Sequence, residues 1–142
     1  CRLATIDKAS GGQIGEYVLD ANDSATMQVV LDNGALGTVA ATRFASGHHN
    51  DLRLRLYGDK GGLEVQFEKT VSRLFACLGD DIKTADWHEV DCPAVPTIYQ
   101  RFIAAIRGEG PAEPTFARGA ELQKMLDRAE QSAAQRGLSL PV

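Results

Sequence analysis

The sequence predicts an α+β domain in which a large, mostly antiparallel, open-faced sheet carries helices packed on one face. Three observations predict it. Apolar residues alternate with period two over the first two-thirds of the chain, and they recur at helical spacing over the last third. Short turns rich in Asn, Asp and Gly separate the alternating runs. Strands first and helices after is the order of a fold whose helices gather on one side of a sheet.

Residues 2–6 read as a strand, followed by a loop with Gly11, Gly12 and Gly15. Ala25, Met27, Val29 and Leu31 then share one face of the next strand. Asp32-Asn33-Gly34 supplies residues that tolerate positive φ in a tight hairpin, and residues 36–44 form the return strand. Beyond a loop at residues 45–50, Leu52, Leu54 and Leu56 face one way and Arg53 and Arg55 the other. A turn at Gly58-Asp59-Lys60-Gly61-Gly62 leads to Leu63, Val65 and Phe67, alternating with Glu64, Gln66 and Glu68. Further strands are expected over residues 71–78 and, shorter, over 87–90.

Pro93 and Pro96 end the strand region. Thr97 caps a helix whose Ile98, Phe102 and Ile106 make an apolar stripe expected in the core. Gly108 and Gly110 stop it. A second helix runs to about Arg136, with Leu122, Met125, Leu126, Ala129 and Ala133 as its apolar face and Gly137 suited to the left-handed C′ position. Residues 138–142 are compatible with a last strand.

Composition narrows the function. The 142 residues suit one domain, 1–142, large enough to bury a core. A net charge of −4, with no basic stripe, argues against a nucleic-acid partner. No apolar run is long enough to cross a bilayer, so no membrane partner is expected. Cys1, Cys77 and Cys92 are scattered and odd in number, which favours a reducing, cytoplasmic setting over a disulfide framework. A chain that opens on Cys1, directly in a strand-like run, is expected to be cut from a longer one. Two helices cover only part of such a sheet, and homo-oligomerisation through the open face is the natural expectation.

A dinucleotide site needs a GxGxxG turn between strand and helix, so that backbone N–H groups meet the pyrophosphate. The nearest glycine turns, at Gly34 and at Gly58-Asp59-Lys60-Gly61-Gly62, join strand to strand. The most function-like stretch is Gly47-His48-His49-Asn50-Asp51, directly after Arg43. Its donors and acceptors suit sugar or polyol hydroxyls, and Arg43 suits a carboxylate. A solvated polar loop and a metal site are the other readings. Adjacent histidines in an extended segment point to opposite sides, and no further ligand stands at metal spacing. Trp87-His88 fits either a sugar-stacking platform or an edge tryptophan. Arg53, Arg55, Glu64 and Glu68 fit cross-strand charge matching.

In order along the chain, these segments resemble the C-terminal domain of the glucose–fructose oxidoreductase / inositol dehydrogenase / rhizopine catabolism (Gfo/Idh/MocA) family. The resemblance is carried by Leu31-Asp32-Asn33-Gly34-Ala35-Leu36-Gly37-Thr38-Val39, by Ala41-Thr42-Arg43-Phe44-Ala45-Ser46-Gly47-His48-His49-Asn50, and by Leu56-Tyr57-Gly58-Asp59-Lys60-Gly61-Gly62-Leu63. Tyr99-Gln100-Arg101-Phe102, Pro114-Thr115-Phe116 and the closing helical run complete it.

The resemblance implies an oxidoreductase that moves hydride between NAD or NADP and a sugar or polyol. The cofactor would be bound by an N-terminal Rossmann domain and not by these 142 residues, which alone would be inactive. It further implies Arg43, His48 and Asn50 as substrate contacts, with His49 at a more variable position. The family's catalytic Glu-Lys-Pro run is matched only superficially by Glu68-Lys69-Thr70, which falls in a turn. Its His-to-Asp spacing recurs at His48 and Asp51, but a strand follows here instead of a helix. The catalytic elements are therefore expected before Cys1. A free-standing binding or dimerisation module is the alternative.

Overall fold

The computed structural model describes residues 1–4, 13–18 and 21–142. They form two compact units, one of Cys1–Phe44 with Arg101–Val142 and the other of Ala45–Gln100. The α+β class and the antiparallel ladders are those the sequence predicts. The strands are divided between a three-stranded sheet and a four-stranded sheet, with one further two-stranded ladder.

In the first unit β1 (Arg2–Ala4), β4 (Ser24–Val30) and β5 (Leu36–Thr42) pair in the order β1-β4-β5, all antiparallel. Ala25, Met27 and Val29 are half-buried and alternate with exposed Thr26, Gln28 and Val30, as period two requires; Leu31 lies past the strand and is exposed. The hairpin closes with Gly34 N–H donating to Leu31 O at 2.8 Å and Leu31 N–H to Ala35 O at 2.9 Å, with Gly34 at φ 84°. That is the three-residue loop with a left-handed glycine that suits the twist of paired strands. A short hairpin of β2 (Gln13–Ile14) and β3 (Tyr17–Val18) turns at Gly15, where the sequence suggested only a loop. The expected roles of Thr5, Ile6, Gly11 and Gly12 lie outside the described residues.

Helix α2 (Phe116–Ala134) packs on β1. Thr115 caps it, its Oγ1 accepting from Arg118 N–H at 3.1 Å. Met125, Ala129, Ser132 and Ala133 form its sheet-facing side, and the Ser132 hydroxyl accepts from the Cys1 backbone nitrogen at 2.9 Å. Leu122 and Leu126, expected in the same face, are exposed, because they lie round the helix from the line that meets β1. The C-terminus is a Schellman cap shifted one residue from expectation. Gly137 N–H bonds Ser132 O, Arg136 N–H bonds Ala133 O, and Arg136 itself takes the left-handed C′ position at φ 60°. Residues 138–142 form no strand.

The second unit is a four-stranded meander of β6 (Leu52–Gly58), β7 (Gly61–Glu68), β8 (Val71–Leu78) and β9 (His88–Val90). Its register places Leu54, Val65, Leu74 and Val90 in one row and Leu56, Leu63 and Ala76 in the next, all on one face. The other face carries Arg53, Arg55, Glu64, Gln66, Arg73 and Glu89. Glu64 accepts from Gln66 at 2.6 Å and from Arg55 at 2.6 Å, with Arg53 at 3.3 Å. Arg73 grips Glu89 through two bonds, of 2.9 and 2.6 Å, and lies over the Phe75 ring. Trp87 lies against Gly62, so tightly that a Cβ there would sit 2.6 Å from the indole. Its ring is thus engaged with the sheet, the edge-tryptophan reading of Trp87-His88.

Helix α1 (Ile98–Ile106) begins on a reciprocal capping box. Thr97 N–H donates to Gln100 Oε1 at 2.8 Å, and Gln100 N–H donates to Thr97 Oγ1 at 3.3 Å. The expected core stripe is corrected here: Ile98, Phe102 and Ile106 are all exposed, Phe102 by 64%. Helical periodicity creates an apolar face without stating what covers it, and these residues leave it uncovered.

Candidate functional site

The loop between β5 and β6 holds the residues singled out from the sequence. Ala45-Ser46-Gly47-His48 is a turn closed by His48 N–H donating to Ala45 O at 2.9 Å. Gly47 supplies the positive φ, 85°, that its third position requires. A second tight turn follows, with Asp51 N–H donating to His49 O at 2.7 Å. Together they fold the loop so that His48 Nδ1 meets Asp51 Oδ2 at 2.5 Å. The imidazole is 56% exposed and the carboxylate 25%, so the ring is held at one nitrogen and open at the other.

His49 and Asn50 are exposed, and their side chains take no hydrogen-bond partner among the described residues. Arg43 stands at the end of β5 in the first unit, anchored by its backbone N–H to Asp23 O at 3.0 Å with its side chain exposed. His48, His49 and Asn50 belong to the second unit. The structure therefore brings His48, His49 and Asn50 together on one short loop. It also adds Asp51, which is not among the contacts the family resemblance implies. The available signal was the three-residue spacing of His48 and Asp51 beside a turn-forming glycine.

The other candidates resolve locally. Glu68-Lys69-Thr70 is the β7–β8 turn, with Lys69 and Thr70 both at positive φ, so the lysine is a hairpin residue. Gly58, Gly61 and Gly62 lie in the antiparallel β6–β7 hairpin, which joins strand to strand and is not the strand-to-helix turn that a dinucleotide pyrophosphate needs. Among the described residues no group of three His, Cys, Asp or Glu side chains is placed to hold a metal ion. A groove of about 700 Å³ lies in the first unit between β4, β5 and α2, bordered by Thr26, Gln28, Thr38, Met125 and Arg128. Arg43 does not line it. No helix among the described residues is long and apolar enough to cross a membrane.

Comparison with known proteins agrees with this architecture. The levoglucosan dehydrogenase of Pseudarthrobacter phenanthrenivorans is 25% identical over 145 aligned positions, covering 87% of this chain and 37% of that enzyme. The chain thus spans well under half the length of that relative. No solved structure matches significantly. The family model for the C-terminal alpha/beta domain of the oxidoreductase family, GFO_IDH_MocA_C, matches residues 4–142, and the chain belongs to this family.

Proposed function

We propose that this chain is the substrate-side domain of a dehydrogenase that moves hydride between NAD or NADP and a sugar or polyol. The observation that carries the reading is the loop at residues 47–51, where two imidazoles, an amide and a carboxylate are presented directly before β6. Hydroxyl-rich ligands are recognised by such mixed donors and acceptors. The relative named for levoglucosan, a sugar derivative, supports the same class of substrate. His48, His49 and Asn50 contact the ligand in this reading, and Arg43, in the first unit, stays a separate candidate contact. The nicotinamide cofactor is held elsewhere in the whole protein, since the glycine turns of this chain do not suit it. The cytoplasm is the setting that suits three free cysteines.

The open face of the four-stranded sheet supports association with a second copy. Leu54 and Leu56 are about half exposed on that face, beside Val65 and Val90. A contiguous apolar surface of this kind is costly to leave in water.

The test is turnover by the full-length protein of levoglucosan, glucose and myo-inositol with NAD and NADP, read as nicotinamide reduction. His48→Gln and Asn50→Ala are expected to raise KM for the polyol. Reduction of the nicotinamide by none of the three would overturn the sugar reading. Leu54→Asp is expected to reduce the oligomer in sedimentation, and an unchanged mass would remove the sheet face as the interface.

A further inference from the structure

We propose that Asp51 is a positioning residue that makes His48 Nε2 a hydrogen-bond acceptor for a hydroxyl of a neutral sugar or polyol. The proposal rests on the substrate reading above and adds to it the protonation pattern of the ring.

A carboxylate only accepts hydrogen bonds. Contact of His48 Nδ1 with Asp51 Oδ2 therefore places the ring proton on Nδ1. In the neutral imidazole that leaves Nε2 with its lone pair, turned away from Asp51 on a side chain that is more than half exposed. A free imidazole in water prefers the opposite tautomer, with its proton on Nε2. Asp51 thus converts the exposed end of His48 from donor to acceptor.

The backbone fixes both partners. Gly47 and the Ala45–His48 hydrogen bond set the position of the imidazole. Asp51 is tied by its own N–H to His49 O and directly precedes Leu52, which pairs with Phe67 in the sheet. An acceptor nitrogen needs a ligand that donates, and hydroxyls are such donors. The charge of Asp51 beside it disfavours an anionic ligand group at the same point, so a neutral polyhydroxyl compound fits better than a sugar acid.

The experiment uses the full-length protein with isotope-labelled histidine, assigning the His48 ring nitrogens by their loss in His48→Gln. In the wild type Nε2 is expected to be the unprotonated nitrogen. Asp51→Ala is expected to move the proton to Nε2 and to raise KM roughly tenfold, the size of one ordinary hydrogen bond, with kcat much less changed. The KM is that for whichever of levoglucosan, glucose and myo-inositol has the highest kcat/KM. Asp51→Glu should restore both. A wild-type proton on Nε2, or an Asp51→Ala protein with unchanged tautomer and KM, overturns the proposal. If His48→Gln raises KM and Asp51→Ala does not, only the role of Asp51 falls. If His48→Gln also leaves KM unchanged, the substrate reading of the loop falls and takes this proposal with it.

Discussion

Arg55 and Glu64 stand directly opposite each other in the β6–β7 register, and Arg55 Nε donates to Glu64 Oε2 at 2.6 Å. The hydrogen bond from Gln66 and then that from Arg55 hold the Glu64 carboxyl below its usual 4.5. A carboxylate lowered on folding adds stability above its unfolded value, and that stability is lost as pH falls through the folded value. The Tm is therefore expected to decline below about pH 4.5, and Glu64→Gln should flatten part of that decline. Both groups meet solvent, so the effect is small and weakens with salt. An identical pH profile in Glu64→Gln, measured by thermal melts at low salt, would remove the pair from the account.

Gly61 is the position where a side chain fits least. A Cβ there would lie 2.2 Å from the Cys77 carbonyl oxygen, and φ is 137°. Gly61→Ala is expected to cost on the order of 2–3 kcal/mol, combining strain and a backbone clash. Gly58→Ala, whose nearest neighbour would be 3.9 Å away, is the control and should change stability little. Equal denaturation midpoints for the two variants would contradict this hairpin geometry.

Lys69 and Thr70 occupy the two central positions of the β7–β8 turn at φ 47° and 75°. Both φ values are those of a primed hairpin turn, which Asn-Gly adopts far more readily than a β-branched residue. Replacing Lys69-Thr70 by Asn-Gly is expected to stabilise the protein by about 1 kcal/mol, the scale of a left-handed penalty for an ordinary residue. Urea titration reads the change directly, and a loss of stability would mean that the lysine or threonine side chain has a role beyond the turn.

Phe102 separates helical pattern from burial. If its stripe were core, Phe102→Ala would cost about 3–5 kcal/mol. At 64% exposure the expected cost in the 142-residue chain is below about 1 kcal/mol. A loss of several kcal/mol on thermal melting would show that α1 docks its apolar face against another surface.

Local pattern specifies most of the antiparallel strands, the β4–β5 and β6–β7 hairpins and the two helices, because period and turn chemistry act over a few neighbouring residues. The β2–β3 hairpin and the lack of a strand at residues 138–142 are not legible in this way. Ala25, Met27 and Val29 turn inward as alternation demands, and the β4–β5 hairpin closes at Gly34. The loop at His48, His49 and Asn50 was also legible, as a polar run between two apolar strands. Tertiary structure alone decided the rest. Strand pairing divided the ladder into separate sheets, because a register is a relation between distant segments. The exposure of Ile98, Phe102 and Ile106 depends on what lies beside them, which periodicity does not encode. The His48–Asp51 contact needed two consecutive turns to fold three residues back on themselves, and composition shows the partners without showing that they meet.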